Sequence, residues 1–313
     1  MKCELAQLEE YSQEFLKRVK VERNLSQNTL KAYRCDLNCF FAWIKRRAVE
    51  ELDVGSVLAY FTYLQEEEEL APRSVQRKYV TLYQFFRFLR ENYGIQEEFF
   101  CFTTRKFQIP HTLPRTLSND EISKLISVSS EEYQNAESEY RTRLALRNMC
   151  LIECLFCMGL RIGEAAALNV EDYNPGDCSV LVHGKGKKER ILFISSNVVC
   201  QKLNVWLQVR QGMEPLDSAI FISKLGKRMS IYSIEKVFKR YRDLAGIRDN
   251  ATPHCLRHSF ATQLLNNGAS IRDVQELMGH SSVVTTQIYT EVSLNRKKEV
   301  LMKYNGRNFI HPK

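Results

Sequence analysis

The chain has 313 residues, of which 44% are hydrophobic and 26% are charged, values that exclude a disordered or low-complexity protein. The formal net charge at pH 7 is +8, and it is unevenly distributed. Residues 1–110 hold 17 Lys and Arg against 16 Asp and Glu, whereas the rest of the chain holds 28 against 21. We therefore expect the carboxy-terminal part to lie closest to a polyanion.

The amino-terminal residues and the cysteines indicate the cellular compartment in which the protein is expected. Met1 to Leu5 are charged and lack an apolar signal segment, and no apolar run approaches the roughly 18 residues that span a bilayer. We expect a soluble, cytoplasmic protein without a membrane span, whose ten cysteines stay reduced. Cys150, Cys154 and Cys157 share one face of an apolar helix without a second ligand cluster, which favours core packing over metal binding.

The first part of the chain, residues 5 to about 100, has aromatic-rich apolar positions at helical spacing. The pattern predicts one helix over residues 29–44, with Ser26 as its N-cap, and another over residues 73–92 that ends at Gly94. We predict a helical domain over residues 1–102. Two prolines and several polar residues then predict an extended linker over residues 103–117.

The second predicted domain, residues 118–313, is mixed α+β and contains a small antiparallel sheet, within a chain that is mainly α. Ser118 and Glu121 form a predicted capping box at its first helix. The acidic residues 131–139 resemble a small surface-loop insertion. Strands are predicted over residues 179–182 and 190–194, joined by a basic turn at 184–188, with a short third strand over 219–223. Helices are predicted over residues 143–158, 230–245, 253–267, 270–278 and 283–303.

Two short motifs carry side chains suited to phosphate chemistry, although each is weak alone. Arg161 follows a helix end at Gly159, and Glu164, three residues on, can orient its guanidinium, but a surface ion pair is the simpler interpretation. Lys185 lies in a glycine-rich basic turn. It could protonate a leaving group, or the segment could be only a soluble turn.

Two more motifs follow towards the carboxyl end. His254, Arg257 and His258 are spaced i, i+3 and i+4 at the predicted start of a helix, where the dipole favours an anion, although most such groups are surface or capping residues. His280 ends a later helix, and Tyr289 comes nine residues after it. Taken singly, a structural histidine and a core tyrosine are the default interpretations.

Together these residues form the set needed to transfer a phosphodiester to a tyrosine without a metal. Two guanidiniums can bind the non-bridging oxygens and offset the charge that develops on phosphorus. A tyrosine with a pKa of about 10 needs a base, and a 5′-alkoxide leaving group needs an acid. Since no Asp/Glu cluster suited to Mg²⁺ accompanies the set, we expect no metal and no cofactor.

The motifs resemble the signature segments of the tyrosine recombinases (the phage integrase family), the Xer type in particular. The resemblance rests on residues 159–164, 184–190, 252–262 and 278–290, and residues 26–43 and 74–89 resemble the family's helical, SAM-like core-binding domain. The match extends over nearly the whole chain in register. It implies a site-specific recombinase that cleaves and rejoins double-stranded DNA.

The resemblance also implies a role for each residue of the set. Arg161 and Arg257 would hold the scissile phosphate, with Glu164 and His258 as supports. The remaining roles are proton transfer, phosphate binding and attack. They would fall to Lys185 as general acid, His254 as the group that assists deprotonation, His280 as a hydrogen-bond donor to the phosphate and Tyr289 as the nucleophile of a 3′-phosphotyrosyl bond.

The family works as a tetramer on two DNA sites, so the resemblance implies a homo-tetramer or a hetero-tetramer with a related recombinase. Three residues depart from the usual pattern without removing a catalytic group: Gly163 where Ser is usual, Met278 where Leu is common, and Glu291 where His often follows. These departures concern partner contacts and activation more than the chemistry.

Several biological roles fit this chemistry. A Xer-type enzyme would resolve chromosome or plasmid dimers, whereas a phage or transposon integrase or an invertase would move or invert DNA. The chain shows no separate arm-binding domain before the core-binding helices, which favours the first role. A DNA-binding protein without catalysis would lack an Arg, Lys or Tyr of the set. A type IB topoisomerase would share the active site but act without site choice.

Residues 291–304, after Tyr289, continue at helical spacing, and two placements are open for this tail helix. It can fold back on its own domain. Alternatively, as the resemblance favours, it can dock into a neighbouring protomer of the tetramer and so couple the sites.

Overall fold

The computed structural model describes residues 5–22, 25, 27–95, 99–100, 115–184, 189–279 and 291–310. The chain divides into two compact units, residues 1–112 and 113–313. The predicted linker, residues 103–117, lies mostly outside the described residues, so its extended form stays a prediction. None of the described helices is long and apolar enough to cross a membrane.

The first unit is built from four described helices with a shared aromatic core. They are α1 (Leu5–Glu22), α2 (Gln27–Arg47), α3 (Val54–Glu66) and α4 (Pro72–Tyr93). The two helices predicted here correspond to α2 and α4. Pro72 starts α4, where its missing N–H is not needed, and Gly94 ends it in the left-handed conformation, as expected.

A buried carboxylate ties α2 to α4 in this unit. Asp36 of α2 is fully buried, and it accepts hydrogen bonds from Thr81 Oγ1 at 2.9 Å and Lys78 Nζ at 3.2 Å on α4, with Arg77 as a further partner. A buried charge is tolerated when donors surround it, so these contacts fix the relative rotation of the two helices.

The second unit combines eight described helices with a three-stranded antiparallel sheet. The helices are α5 (Asn119–Gln134), α6 (Glu139–Cys157), α7 (Ile162–Ala167), α8 (Asn197–Gln211), α9 (Ile231–Leu244), α10 (Pro253–Asn266), α11 (Ile271–Met278) and α12 (Glu291–Tyr304). The strands are β1 (Tyr173–Asn174), β2 (Ser179–His183) and β3 (Glu189–Phe193), in the order β1-β2-β3. The prediction of a mainly helical chain with a small antiparallel sheet is confirmed.

Local signals located several elements correctly. Ser118 caps α5 and Glu121 completes the capping box in both directions, as predicted. The cysteines of α6 are buried in the core of the unit, because nearly every face of that helix is covered. The predicted pair of strands corresponds to β2 and β3, whereas the turn residues 185–188 lie outside the described residues.

The predicted strand over residues 219–223 is wrong. This buried segment makes only isolated bridges, and the third strand of the sheet is β1. The reason is that side chains take the carbonyls that a neighbouring strand would need. Trp206 Nε1 donates to the Ile220 carbonyl at 2.9 Å, and Arg210 Nε donates to the Ala219 carbonyl at 2.7 Å.

Two further differences concern helices. Helix α8 was not predicted, although its buried residues Val199, Leu203, Trp206 and Arg210 recur at helical spacing. The acidic segment 131–139 is not a surface loop throughout, because α5 continues to Gln134 and α6 begins at Glu139.

The carboxy-terminal tail packs on its own unit. Val300 and Leu301 of α12 are buried in the core of the second unit. The structure therefore has the first of the two placements considered for the tail helix. Docking of this helix into a neighbouring protomer stays a prediction.

A buried ion pair anchors the residues that follow α12. Arg307 donates to both oxygens of Glu153 on α6, at 2.6 and 2.9 Å, and Lys202 Nζ reaches the same carboxylate at 2.8 Å. Asn305 Nδ2 donates to the Cys157 carbonyl at 2.7 Å. Burial alone would raise the pKa of Glu153, but the hydrogen bonds and charges of Arg307 and Lys202 lower it. The carboxylate is therefore ionised and holds the tail.

We predict that Arg307→Met lowers the free energy of unfolding of the second unit by about 3 kcal/mol, because the Glu153 charge loses its bidentate partner while buried. Urea unfolding followed by the fluorescence of buried Trp206, in a Trp43→Phe background, reports on this unit. The matched control is Arg272→Met, which removes an exposed helix-surface pair and should change less than about 0.5 kcal/mol. Equal effects of the two substitutions would contradict the anchoring role.

Candidate active site

The turn after α6 places Arg161 at the start of α7. Gly159 has φ +58°, and a Cβ there would lie 2.3 Å from the ring of Phe260, so only glycine fits. The chain then reverses, and Arg161 becomes the N-cap residue of α7, as the sequence predicted. Its side chain is 36% exposed and can be reached from solvent.

Glu164 lies at the centre of the site. Its carboxylate accepts hydrogen bonds from the backbone N–H and Nη1 of Arg161, both at 2.8 Å, and from Nη1 and Nη2 of Arg190 at 2.9 and 2.8 Å. Arg257 Nη1 lies 3.6 Å from the same carboxylate. Burial by itself would raise the pKa of Glu164, but the hydrogen bonds and charge of Arg190, together with Arg161, lower it to about 2. Glu164 is therefore a permanent anion among three arginines.

Arg257 of α10 is the most buried of these arginines, with 2% of its side chain exposed. Its Nη1 donates to the Gly159 carbonyl at 2.6 Å, and its Nη2 donates to the Met278 carbonyl. Burial and the neighbouring charge of Arg161 lower the pKa of Arg257 to about 10, so it still carries its charge at neutral pH. Three guanidiniums and one carboxylate leave a net charge of +2.

The two histidines of α10 lie beside this cluster. Pro253 begins the helix after the N-cap Thr252, and the rings of His254 and His258, one turn apart, stack with centroids 5.5 Å apart. Burial lowers the pKa of both residues, and the charge of Arg257 lowers them further. Both imidazoles are consequently neutral at pH 7, the form that can accept a proton.

Three predicted residues lie outside the described residues: Lys185, His280 and Tyr289. The structure does place the segments that lead to them. Strand β2 ends at His183, and Gly279 ends α11 in the left-handed conformation, where a Cβ would lie 3.1 Å from Arg190 Nη1. The structure thus brings together Arg161, Glu164, His254, Arg257 and His258, and their proposed roles stay predictions.

Two residues of this region were not assigned a role from the sequence. Arg190 was noted within its motif, yet in the structure it binds Glu164 and also donates from Nε to the Leu277 carbonyl at 2.9 Å. His183 contacts two carboxylates at the end of β2. No local signal reveals these contacts, since they depend on how the sheet packs against α7, α11 and the turn at residues 170–172, and on the pairing of His183 with Glu189.

Two of the three departures from the family pattern, Gly163 and Met278, leave this geometry intact. A Cβ on Gly163 would meet only Ile231 Cδ1, at 3.7 Å, so the position has room for the usual serine. Met278 contributes its backbone carbonyl to Arg257, a contact that any residue provides. Among the described residues, no group of three or more His, Cys, Asp or Glu side chains is arranged to hold a metal ion.

The chain matches two family models. Residues 115–296 match the model described as the phage integrase family, and residues 13–92 match the model for the phage integrase N-terminal SAM-like domain. The predicted helical, SAM-like amino-terminal domain is confirmed by the second match.

The chain is also similar to named recombinases. It is 32% identical to the tyrosine recombinase XerC of Leptospira interrogans over 95% of this chain and 93% of that protein. It is 32% identical to the tyrosine recombinase XerD of Bifidobacterium longum over 90% of this chain and 92% of that protein. The crystal structure of the XerH site-specific recombinase bound to a palindromic difH substrate has a similar fold, with a TM-score of 0.68, 21% identity and coverage of 98% of this chain and 83% of that one.

We predict that Glu164→Gln destabilises the second unit by roughly 2–3 kcal/mol at neutral pH, because the arginines lose their shared anion. The folded pKa, about 2, lies below the unfolded value of 4.5, so the carboxylate stabilises the fold above about pH 4.5. This contribution is lost as the pH falls towards 2. The difference between variant and wild type in urea unfolding should therefore shrink below pH 4.5.

The control for this measurement is Glu235→Gln, which alters an exposed i,i+4 pair with Lys239 on α9. Its effect should be small at every pH. A Glu164→Gln difference that is independent of pH would contradict the central role of the ionised carboxylate.

Proposed function

The chain belongs to the phage integrase family and is a tyrosine recombinase, an enzyme that cleaves and rejoins DNA at specific sites; from this membership we propose that Tyr289 is its nucleophile. The phenolic oxygen attacks the scissile phosphorus, and the bond from phosphorus to the 5′-oxygen breaks. The products are a 3′-phosphotyrosyl bond and a free 5′-hydroxyl. The energy of the broken bond stays in the phosphotyrosyl link, so rejoining needs no ATP.

The structural observation that supports phosphate transfer in this unit is the group of arginines around Glu164. Arg161 and Arg257 would bind the non-bridging oxygens of the phosphate, and the net charge of +2 would offset the negative charge that develops on the phosphorane. Because Glu164 and backbone carbonyls hold the guanidiniums in place beforehand, little reorganisation is needed during the reaction. Removing one such donor typically slows a reaction by about 10²- to 10³-fold.

The protons move through two other groups. His254, whose pKa is lowered by burial and by its cationic neighbours, would assist deprotonation of Tyr289. Lys185 would protonate the 5′-oxygen as it leaves. His280 would donate a hydrogen bond to the phosphate, and His258 would support His254, on which its ring stacks. The reverse reaction uses the same groups in the opposite direction.

The substrate follows from the reaction. The enzyme would act on double-stranded DNA sites as a homo-tetramer, or as a hetero-tetramer with a related recombinase, and it would work in the cytoplasm. Its relatives carry the names XerC and XerD. We therefore propose resolution of chromosome or plasmid dimers as its task.

A second candidate task is integration or inversion of a mobile element, which uses the same chemistry. Sequencing the DNA that becomes covalently attached to the protein in cells separates the two. A single chromosomal or plasmid site supports dimer resolution. Element ends and scattered insertion points would support an integrase.

We predict that Tyr289→Phe abolishes the covalent adduct with a suicide substrate nicked near the cut site, while binding to the same site stays within about twofold. The substitution removes only the attacking oxygen. The measurement is a denaturing gel for the adduct and a mobility shift for binding. Tyr140→Phe, which alters an exposed tyrosine on α6, is the control and should form the adduct normally. Persistence of the adduct in Tyr289→Phe would rule out this nucleophile.

We predict that Lys185→Ala slows cleavage of ordinary DNA by about 10²-fold or more. A substrate with a bridging 5′-sulfur at the scissile position should restore its rate, because a thiolate leaves without protonation. Arg257→Ala should not be rescued, since its role is charge stabilisation of the phosphate. Cleavage rates of the two substrates in single-turnover reactions give the comparison. Equal rescue of both variants would contradict the assignment of Lys185 as the acid.

A further inference from the structure

His183 lies between two carboxylates at the end of β2. Its Nε2 is 2.9 Å from Asp172 Oδ1, and its Nδ1 is 3.0 Å from Glu189 Oε1. Asp172 belongs to a 3₁₀ turn, Val170–Asp172, and Glu189 is the first residue of β3. One imidazole therefore joins three segments of the second unit.

The chemistry of these contacts fixes the charge of the ring. A neutral imidazole has one N–H and one unprotonated nitrogen, whereas a carboxylate oxygen can only accept a hydrogen bond. Both ring nitrogens face carboxylates, so both contacts are hydrogen bonds only when His183 is the imidazolium. In the neutral form, one contact would set a nitrogen lone pair against an anion.

The charged groups that face His183 among the described residues act in the same direction. The hydrogen bond to Asp172 raises the pKa of His183 most, burial opposes this, and the charge of Asp172 and the contact with Glu189 raise the pKa further, so that the net direction is upward. On the far side of β3, the side chain of Arg190 is directed to Glu164 instead. Lys185, Lys187 and Lys188 follow in the chain and lie outside the described residues.

The position of this contact relates it to the proposed acid. His183 and Glu189 form the last pair of the β2–β3 register, and Lys185 lies in the five-residue connection between them. On the other side of the same strand end, Arg190 is fixed to Glu164 and to the Leu277 carbonyl. The base of the hairpin is thus held by two sets of contacts, those of Arg190 and those of His183. Only the second set depends on the protonation of a side chain that titrates near neutral pH.

We infer that His183, in its imidazolium form, is a positioning residue that fixes the base of the β2–β3 hairpin and thereby orients Lys185 for proton transfer. This inference rests on the proposed function, in which Lys185 is the general acid. We call the two hydrogen bonds from the His183 imidazolium to Asp172 and Glu189 the clamp. Because the folded state raises the pKa of His183, the clamp is present at low pH and is lost as the pH rises through that pKa. Cleavage should therefore carry a pH dependence that belongs to His183.

The clamp itself can be measured without DNA. Imidazole ¹⁵N titration by NMR should give His183 a pKa above the usual 6.5, and Glu189→Gln, which removes one carboxylate charge, should lower it. Amide hydrogen exchange in β2 and β3 should be faster in His183→Gln than in wild type below this pKa. Above the pKa, the two proteins should exchange alike. An ordinary or lowered pKa, or unchanged exchange, overturns the inference.

Its effect on catalysis is read from rate ratios over a pH series. At low pH, wild type should cleave ordinary DNA about 10-fold faster than His183→Gln. This factor is a part of the roughly 10²- to 10⁴-fold rate enhancement that a general acid contributes. The ratio should fall towards one as the pH rises. His183→Arg keeps a fork of N–H donors and a permanent charge, so it should match wild type at low pH and exceed it at high pH. His183 is 42% exposed, so these variants should fold. A ratio that does not change with pH overturns the inference.

The 5′-sulfur substrate separates this inference from the proposed function. If His183 acts through Lys185, the sulfur substrate should rescue His183→Gln as it rescues Lys185→Ala. Rescue of Lys185→Ala alone would leave the proposed function standing and overturn the role of His183. Failure to rescue Lys185→Ala would refute the acid assignment, and the inference would fall with it.

Discussion

The interaction on which the site depends is the single carboxylate of Glu164 among three guanidiniums. Without it, Arg161, Arg190 and Arg257 would repel one another, and Arg190 and Arg257 have little access to solvent that could screen the repulsion. With it, they form a compact group that still carries a net charge of +2. Because Arg190 and Arg161 lower the pKa of the carboxylate to about 2 in spite of its burial, this arrangement does not change over the physiological pH range. In the proposed function, the site is therefore electrostatically prepared for a phosphate before DNA binds.

The same carboxylate also attaches the small sheet to the site, through Arg190 of β3. Arg190 is the second residue of β3, so its bidentate contact with Glu164 fixes the strand to the start of α7. One residue earlier, Glu189 points to His183. Since successive side chains of a strand alternate between its two faces, neighbouring residues can hold the hairpin from opposite sides. One contact is a permanent ion pair, and the other depends on protonation. The two strand ends that flank the basic turn are thereby held in place.

Much of this protein was predictable because many of its signals are local. Helix α4 is within a residue of its predicted bounds, since the apolar stripe and the glycine that follows the helix are both local signals. The capping box of Ser118 and the placement of Arg161 at the start of a helix have the same origin. The family motifs are also short segments, so they could be identified before any contact was known. The sequence by itself therefore determined the family, the fold class and five of the residues that meet in the site.

Tertiary structure decided what depends on residues far apart in the chain. Glu164 meets Arg190 across 26 residues, and Glu153 meets Arg307 across 154, so no local pattern could pair them. The segment around Ile220 has the composition of a strand, yet Trp206 of helix α8 donates a hydrogen bond to the Ile220 carbonyl. In each case the partner is chosen by how the elements pack. A buried polar group must find a partner wherever the fold brings one, and the cost of leaving it alone is a property of the folded core.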